Sequence, residues 1–182
     1  MPDELEEYRD EAYFDRRRGK RHVFDSNLLR QSAIVLPARK PIVFGPDRTV
    51  TEAIRAMQSE HRGCVLVTED GTRDTAVLGI FTERDVLFRI VDRGRNPAVL
   101  PVSDVMTRDP ECLRDDQPIA SVLNKMSVGG FRHIPVIDSQ GRPLFVASVK
   151  DVVEFLVEAF PREILNQPAD LVADGHRQRE GA

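Results

Sequence analysis

The chain has 182 residues, of which 41% are hydrophobic and 31% charged, and it carries a net charge of −4. That length allows one good-sized core or two small packed ones, and the balance is ordinary for a globular protein in water. The charge gives no reason to expect nucleic acid or an anionic membrane as partner, and no run of about eighteen apolar residues marks a membrane span.

The chain opens with a charged arm, residues 1–30, acidic as far as Asp15 and then basic at Arg16, Arg17, Arg18, Lys20 and Arg21. Apolar residues are sparse there, so the arm is expected to be disordered, or helical only where it docks. Its acidic start contains no apolar stretch of the kind found in a secretory signal. The basic run at 16–21 reads as a solvated arm, with contact to nucleic acid as a weaker alternative.

From Leu36 onward the chain repeats itself. Leu36–Met57 aligns without a gap on Val105–Met126 at an offset of 69 residues, setting Pro41 on Pro110, Asp47 on Asp116 and Met57 on Met126. Gly79–Val91 then aligns on Phe145–Val157 at an offset of 66. The three-residue difference falls near Asp70–Asp74, a glycine-containing stretch that reads as a turn, where insertions are tolerated. The chain therefore divides into the arm at 1–30, a first repeat at 31–99, a second at 100–165 and a polar tail at 166–182.

Each repeat shows the same order of elements. Short extended stretches, Pro41–Phe44 and Pro110–Leu113, end in turns and are followed by helices. Val50, Ala53, Ile54 and Met57 form one apolar stripe at helical spacing, and Ile119, Val122, Leu123 and Met126 form the other. Thr49 with Glu52 fits a capping box, and Asp116 suits a helix start. Two strands come next, Cys64–Thr68 with Ala76–Phe81 and His133–Ile137 with Pro143–Ala147. Second helices close the units, with stripes Val86, Leu87, Ile90, Val91 and Val152, Val153, Leu156, Val157. One β-α-β-β-α unit with a three-stranded sheet buries its faces poorly alone. The expected architecture is α+β, two tandem units packed sheet to sheet with pseudo-two-fold symmetry.

Thr82-Glu-Arg-Asp85 and Ser148-Val-Lys-Asp151 occupy equivalent places, where the last strand meets the last helix. A single pattern of this kind is usually a helix cap, but its recurrence in both repeats points further. The carboxylate can accept two hydrogen bonds from a ribose diol, the hydroxyl can bond sugar or phosphate, and the helix N–H groups favour a phosphate.

Together with Asp104-Val-Met-Thr107 and Pro110, Phe131–Asp138 and Gly79–Asp85, the motif resembles a tandem pair of cystathionine-β-synthase (CBS) domains, the Bateman module, from about Leu36 to Phe160. The resemblance implies clefts between the repeats that take adenosine ligands: AMP, ADP or ATP, with S-adenosylmethionine or a cyclic dinucleotide as further candidates. It implies Thr82 with Asp85, and Ser148 with Asp151, at ribose and phosphate. Cys64, Val65, His133, Ile134 and Pro135 would flank the base, with Ala38 and Thr107 beside them. Arg132, Arg84 and Lys150 are phosphate candidates by position, as are Arg39 and Arg108. The fold type also implies a homodimer. The copies differ at two places: Gly79 stands opposite Phe145, and Pro37-Ala38 opposite Met106-Thr107. Glycine before the motif suggests closer ligand approach, so unequal sites are expected, with that of Asp85 the better ribose binder.

Enzyme activity is not expected, because no Walker lysine loop, Rossmann glycine fingerprint, nucleophile elbow or zinc-protease helix occurs. His22, His61 and His176 have no metal-ligand spacing with one another or with the cysteines. Cys64 and Cys112 stand at non-equivalent positions, which argues against a structural disulfide and for a cytoplasmic setting. The expected function is a stand-alone adenine-nucleotide sensor that acts on a separate effector protein through dimer geometry. A ligand-free dimeric scaffold is the alternative, and a DNA-binding regulator using residues 16–21 a weaker one.

Overall fold

A computed structural model describes residues 26–160. The arm before Ser26, with its basic run, and the tail beyond Phe160 lie outside the described residues. The last residues of the arm, Ser26–Arg30, form helix α1, whose Leu28 and Leu29 pack against the core of the second repeat.

The first repeat runs through a 3-10 turn (Ala33–Val35), β1 (Val43–Phe44), α2 (Val50–Ser59), β2 (Cys64–Thr68) and β3 (Val77–Thr82). It closes with α3 (Glu83–Asp85), which continues as a π-helical stretch over Val86–Val91. The second repeat follows as a 3-10 turn (Val102–Asp104), β4 (Thr107–Arg108), β5 (Leu113–Arg114), α4 (Ile119–Gly129), β6 (His133–Ile137), β7 (Pro143–Ser148) and α5 (Val149–Ala159). Both sheets are built alike. The first strand pairs in parallel with the second, Val43 opposite Leu66 and Leu113 opposite Val136. The hairpin is antiparallel, Cys64 opposite Thr82 and His133 opposite Ser148.

The first sheet has four strands rather than the expected three. β4, from the start of the second copy, adds to the edge of β3 with Gly79 opposite Arg108. This is one part of an exchange between the repeats. Val102 N–H donates to the Arg48 carbonyl at 2.8 Å, and Val50 N–H donates to that of Leu100 at 2.9 Å. The symmetric pair is Ala33 N–H to Gln117 at 2.8 Å and Ile119 N–H to Gln31 at 2.9 Å. Thus each first helix has a leading N–H satisfied by the segment that opens the other repeat. α2 adds the expected capping box, Thr49 N–H to Glu52 Oε2 at 2.8 Å and Glu52 N–H to Thr49 Oγ at 3.3 Å. α4 has none, because Pro118 stands at its cap and Asp116 does not reach the helix.

Strand alternation divides the apolar side chains. Val65, Val67 and Phe81 face α2 and the π-helical stretch, and Val102, Val105 and Met106 complete that core. Ile134, Val136 and Ala147 face α4 and α5, and Ala33 and Leu36 complete the other core. Cys64, Leu66, Ile80 and Val146 lie between the sheets. The second-helix stripes differ from expectation. Val86 and Ile90 turn inward while Leu87 and Val91 are exposed, and Phe155 is buried while Val153 is exposed. The turn content near Asp70–Asp74 is present, with Gly71 at φ +78° and Asp70 Oδ1 accepting from Thr72 and Thr75. Among the described residues no helix is long and apolar enough to cross a membrane.

Each core contains a segment of the other repeat, so the two should unfold in one transition. Val102 is fully buried in the first core, and Val102→Ala should lower stability by about 2 kcal/mol. Urea unfolding followed at both near- and far-ultraviolet wavelengths should show a lower midpoint with the two signals still coincident.

Candidate functional site

The Thr82 and Ser148 hydroxyls each sit at the junction of a strand with a helix, and each caps that helix. Thr82 Oγ accepts from Asp85 N–H at 3.4 Å, and Asp85 Oδ2 accepts from the Thr82 amide and hydroxyl, both at 2.8 Å. In the second copy Ser148 Oγ accepts from Asp151 N–H at 3.2 Å, while Asp151 Oδ2 accepts from the Ser148 amide at 2.7 Å and hydroxyl at 2.6 Å. Both carboxylates are only 7% exposed. One oxygen of each is thus committed to holding the motif in shape, which leaves Oδ1 for any other partner.

The two Oδ1 atoms have different surroundings. Asp85 Oδ1 is paired with Arg89 Nε at 3.1 Å. Asp151 Oδ1 has no hydrogen-bond or ion-pair partner among the described residues. Among the described residues no unpartnered side-chain oxygen is sealed from solvent, and Asp151 lines a cleft into which this one opens.

Among the clefts that the described residues form between the repeats, two lie beside the motifs, one at each. The larger, about 670 Å³, is lined by Ser148, Lys150 and Asp151 of the second repeat and by Pro41, Ile42, Ile54, Met57 and Cys64 of the first. Arg39, Arg62 and Arg132 stand around it. The smaller, about 230 Å³, is lined by Thr82, Arg84, Asp85, Arg89, Thr107, Pro110 and Pro135. Gly63, Glu83, Arg132 and His133 border both and form a common wall. Ligand clefts measure about 300–1,000 Å³, so only the larger is of nucleotide size.

Most of the sequence candidates therefore gather at two places. The side chains of Val65 and Ile134 do not: both are fully exposed to core and not to solvent, facing the helices within opposite cores. Alternation along β2 and β6 explains this, since Cys64 and His133 take the cleft side. Ala38 packs against the second core and lines neither cleft. Lys150 is drawn to Glu154 at 3.4 Å, whereas Arg132 and Arg84 have no ion-pair partner among the described residues. Arg39 also has none, while Arg62 donates to the Lys40 carbonyl at 3.1 Å. Residue types alone did not single out Arg62, Glu83 or Arg89. For Arg89 a signal existed, because it lies four residues after Asp85 and opposite Phe155 in the aligned copies.

Gly79 has a packing role. A Cβ there would stand 2.3 Å from Met106 Sδ, so the missing side chain makes room for the buried methionine. Phe145 at the equivalent position fills its own core, and Pro37 replaces the methionine there. Gly63 likewise yields to the His133 ring, whose Cε1 and Nε2 would lie 2.7 Å from a Cβ. Burial holds the His133 imidazole below its usual pKa, with Glu83 and Asp151 opposing and Arg132 adding to the effect. Burial likewise pushes the Cys64 thiol up to about 12, which makes it an inert wall residue. Among the described residues no group of three or more histidines, cysteines or carboxylates could hold a metal ion.

The CBS domain pattern matches residues 32–92 and 102–158. This chain belongs to the CBS domain family, with two tandem copies. It is 30% identical over 133 residues to an uncharacterized 17.7 kDa protein of Acidianus ambivalens, covering 73% of this chain and 77% of that one. It is 35% identical over 123 residues to a CBS domain-containing protein of Arabidopsis thaliana, 67% of this chain but 21% of that far longer one. A CBS-domain-containing protein of Agrobacterium tumefaciens superposes with a TM-score of 0.58 at 32% identity, over 65% of this chain and 85% of that one. A CBS domain protein of Pyrobaculum aerophilum complexed with AMP superposes with a TM-score of 0.62 at 22% identity, over 70% and 97% of the two chains. The CBS domain pair of protein MJ0100, complexed with 5′-methylthioadenosine and S-adenosyl-L-methionine, gives 0.62 at 17% identity, over 71% and 98%.

The lowered pKa of His133 has a signed consequence. Below the ordinary imidazole value of 6.5 the unfolded chain takes up a proton that the folded chain resists. Stability should therefore fall as pH drops through and below that value. Melting temperatures measured between about pH 7.5 and 5.5 should show this slope, flattened by His133→Gln.

Proposed function

We propose that this chain is a non-catalytic sensor of adenine nucleotides, with its working site in the cleft beside Asp151. The observation that carries this reading is Asp151 Oδ1, a carboxylate oxygen held in a rigid capping box, open to a cleft of about 670 Å³ and without a partner among the described residues. A ribose diol matches it, since two hydroxyls converge on one acceptor carboxylate. The first turn of α5 suits a phosphate, as do Arg39 and Arg132, which have no ion-pair partner among the described residues. Ile42, Ile54, Met57 and Val146 offer an apolar bed for a base. AMP in the Pyrobaculum protein and adenosyl ligands in protein MJ0100 support the same ligand class. We rank the two motifs opposite to the expectation from Gly79, because that glycine accommodates Met106.

A ligand shifts a conformational equilibrium only by its differential affinity for the two states. The cleft is built from both repeats, so nucleotide binding favours the arrangement in which they grip it together. Output passes to a separate effector protein in the cytoplasm. The outer helix faces expose Leu87, Phe88 and Val91 at 60%, 62% and 65%, with Val149 and Val153 at 44% and 51% on α5. We assign this apolar face to a second copy of the chain.

Calorimetric titration with AMP, ADP, ATP and S-adenosylmethionine should show one equivalent bound per chain for at least one of them. Asp151→Asn, which keeps an acceptor for the cap, should weaken binding at least about ten-fold, as hydrogen bonds to charged groups contribute about 1.5–3 kcal/mol each. No binding by any of the four would overturn the nucleotide reading and favour a ligand-free scaffold. In a separate experiment, light scattering should find a dimer that Phe88→Glu converts to monomer.

A further inference from the structure

Arg89 is the most heavily committed side chain near either cleft. Its Nε pairs with Asp85 Oδ1 at 3.1 Å, its Nη1 donates to the Val105 and Met106 carbonyls, both at 2.6 Å, and its Nη2 donates to Thr107 Oγ at 3.1 Å. The guanidinium thereby joins the motif carboxylate of the first repeat to the segment that opens the second. Two of the groups it holds, the Asp85 oxygen that the cap leaves over and the Thr107 hydroxyl, are ones that a nucleotide in the smaller cleft would need.

Local backbone geometry accompanies this placement. Over Val86–Val91 the helix widens to π form, with Asp92 N–H donating to Leu87 and Arg95 N–H to Ile90, both at 3.0 Å. Ile90 takes the inward place and Arg89 stays on the side of Asp85. α5 is regular α-helix, and there Phe155, aligned with Arg89, is buried in the second core. The far end of the cleft differs as well: Ile42 of the larger cleft corresponds to Glu111, which is ion-paired with Lys125.

We infer that Arg89 closes the Asp85 cleft from within, its guanidinium taking the carboxylate oxygen that a ribose would use, so that this duplicated chain holds a single nucleotide. This rests on the reading that these carboxylates bind ribose. Arg89 is then the residue that sets binding stoichiometry, and the first motif serves as a clasp between the repeats.

The test is calorimetric titration of the full chain with AMP, comparing wild type with Arg89→Ala and Arg89→Gln, and each again with Asp85→Asn added. Wild type should bind one equivalent, and the Arg89 variants two. Asp85→Asn should remove the second equivalent from the Arg89 variants, and the affinity of the first should stay within about two-fold, below the ten-fold that 1.4 kcal/mol would produce. A wild type that binds two equivalents overturns the proposal. So does an Arg89 variant that binds only one while keeping the wild-type circular dichroism spectrum; Arg89→Gln serves if Arg89→Ala fails to fold. Absence of binding in every chain by AMP, and by ADP, ATP and S-adenosylmethionine titrated in parallel, overturns the ribose reading itself, and the closure with it, and so is distinguishable from failure of the closure alone.

Discussion

The site depends on a division of labour within one carboxylate. Oδ2 of each motif aspartate accepts two hydrogen bonds from the residue three positions before it, and that residue's hydroxyl oxygen accepts one from the aspartate N–H. The side chain is therefore fixed in direction before any ligand arrives, at a place where both groups are nearly buried. Preorganisation of this kind lowers the ordering cost of binding. It also means that whatever meets Oδ1 determines what the motif does. Solvent meets it in the second copy and a guanidinium in the first.

The duplication makes such divergence inexpensive. Each core is completed by the segment that opens the other repeat, so the pair folds as one unit and both cleft walls come with the fold. Neither cleft has to be a ligand site for the architecture to stand. One can be converted into a structural clasp, as Arg89 does by tying Asp85 to the backbone of Val105 and Met106. The common wall of Gly63, Glu83, Arg132 and His133 places a buried imidazole and its charged neighbours between the two.

Much of this was legible in the amino-acid order. β2 and β6 fall on the expected residues, the Thr49–Glu52 box forms as its spacing indicates, and both [Ser/Thr]-x-x-Asp motifs lie at strand–helix junctions. What was hidden depends on contacts across the repeats. The role of Gly79 is set by Met106, and the extra strand β4 comes from the second copy. Val65 and Ile134 sit next to cleft residues in sequence but on the opposite face of their strands. Arg89 was visible only as a difference from Phe155. Its partners Val105 to Thr107 are sixteen to eighteen positions away, brought near by a π-helical widening that local propensity does not announce.

The measurement that tests this account most directly is a crystal structure of the chain grown with AMP. The account predicts one nucleotide per chain, its ribose hydroxyls on Asp151 Oδ1 and its phosphate toward Arg39 and Arg132, with Arg89 still paired to Asp85. AMP bound at Asp85 with the Arg89 guanidinium displaced, and the Asp151 cleft holding none, would contradict it.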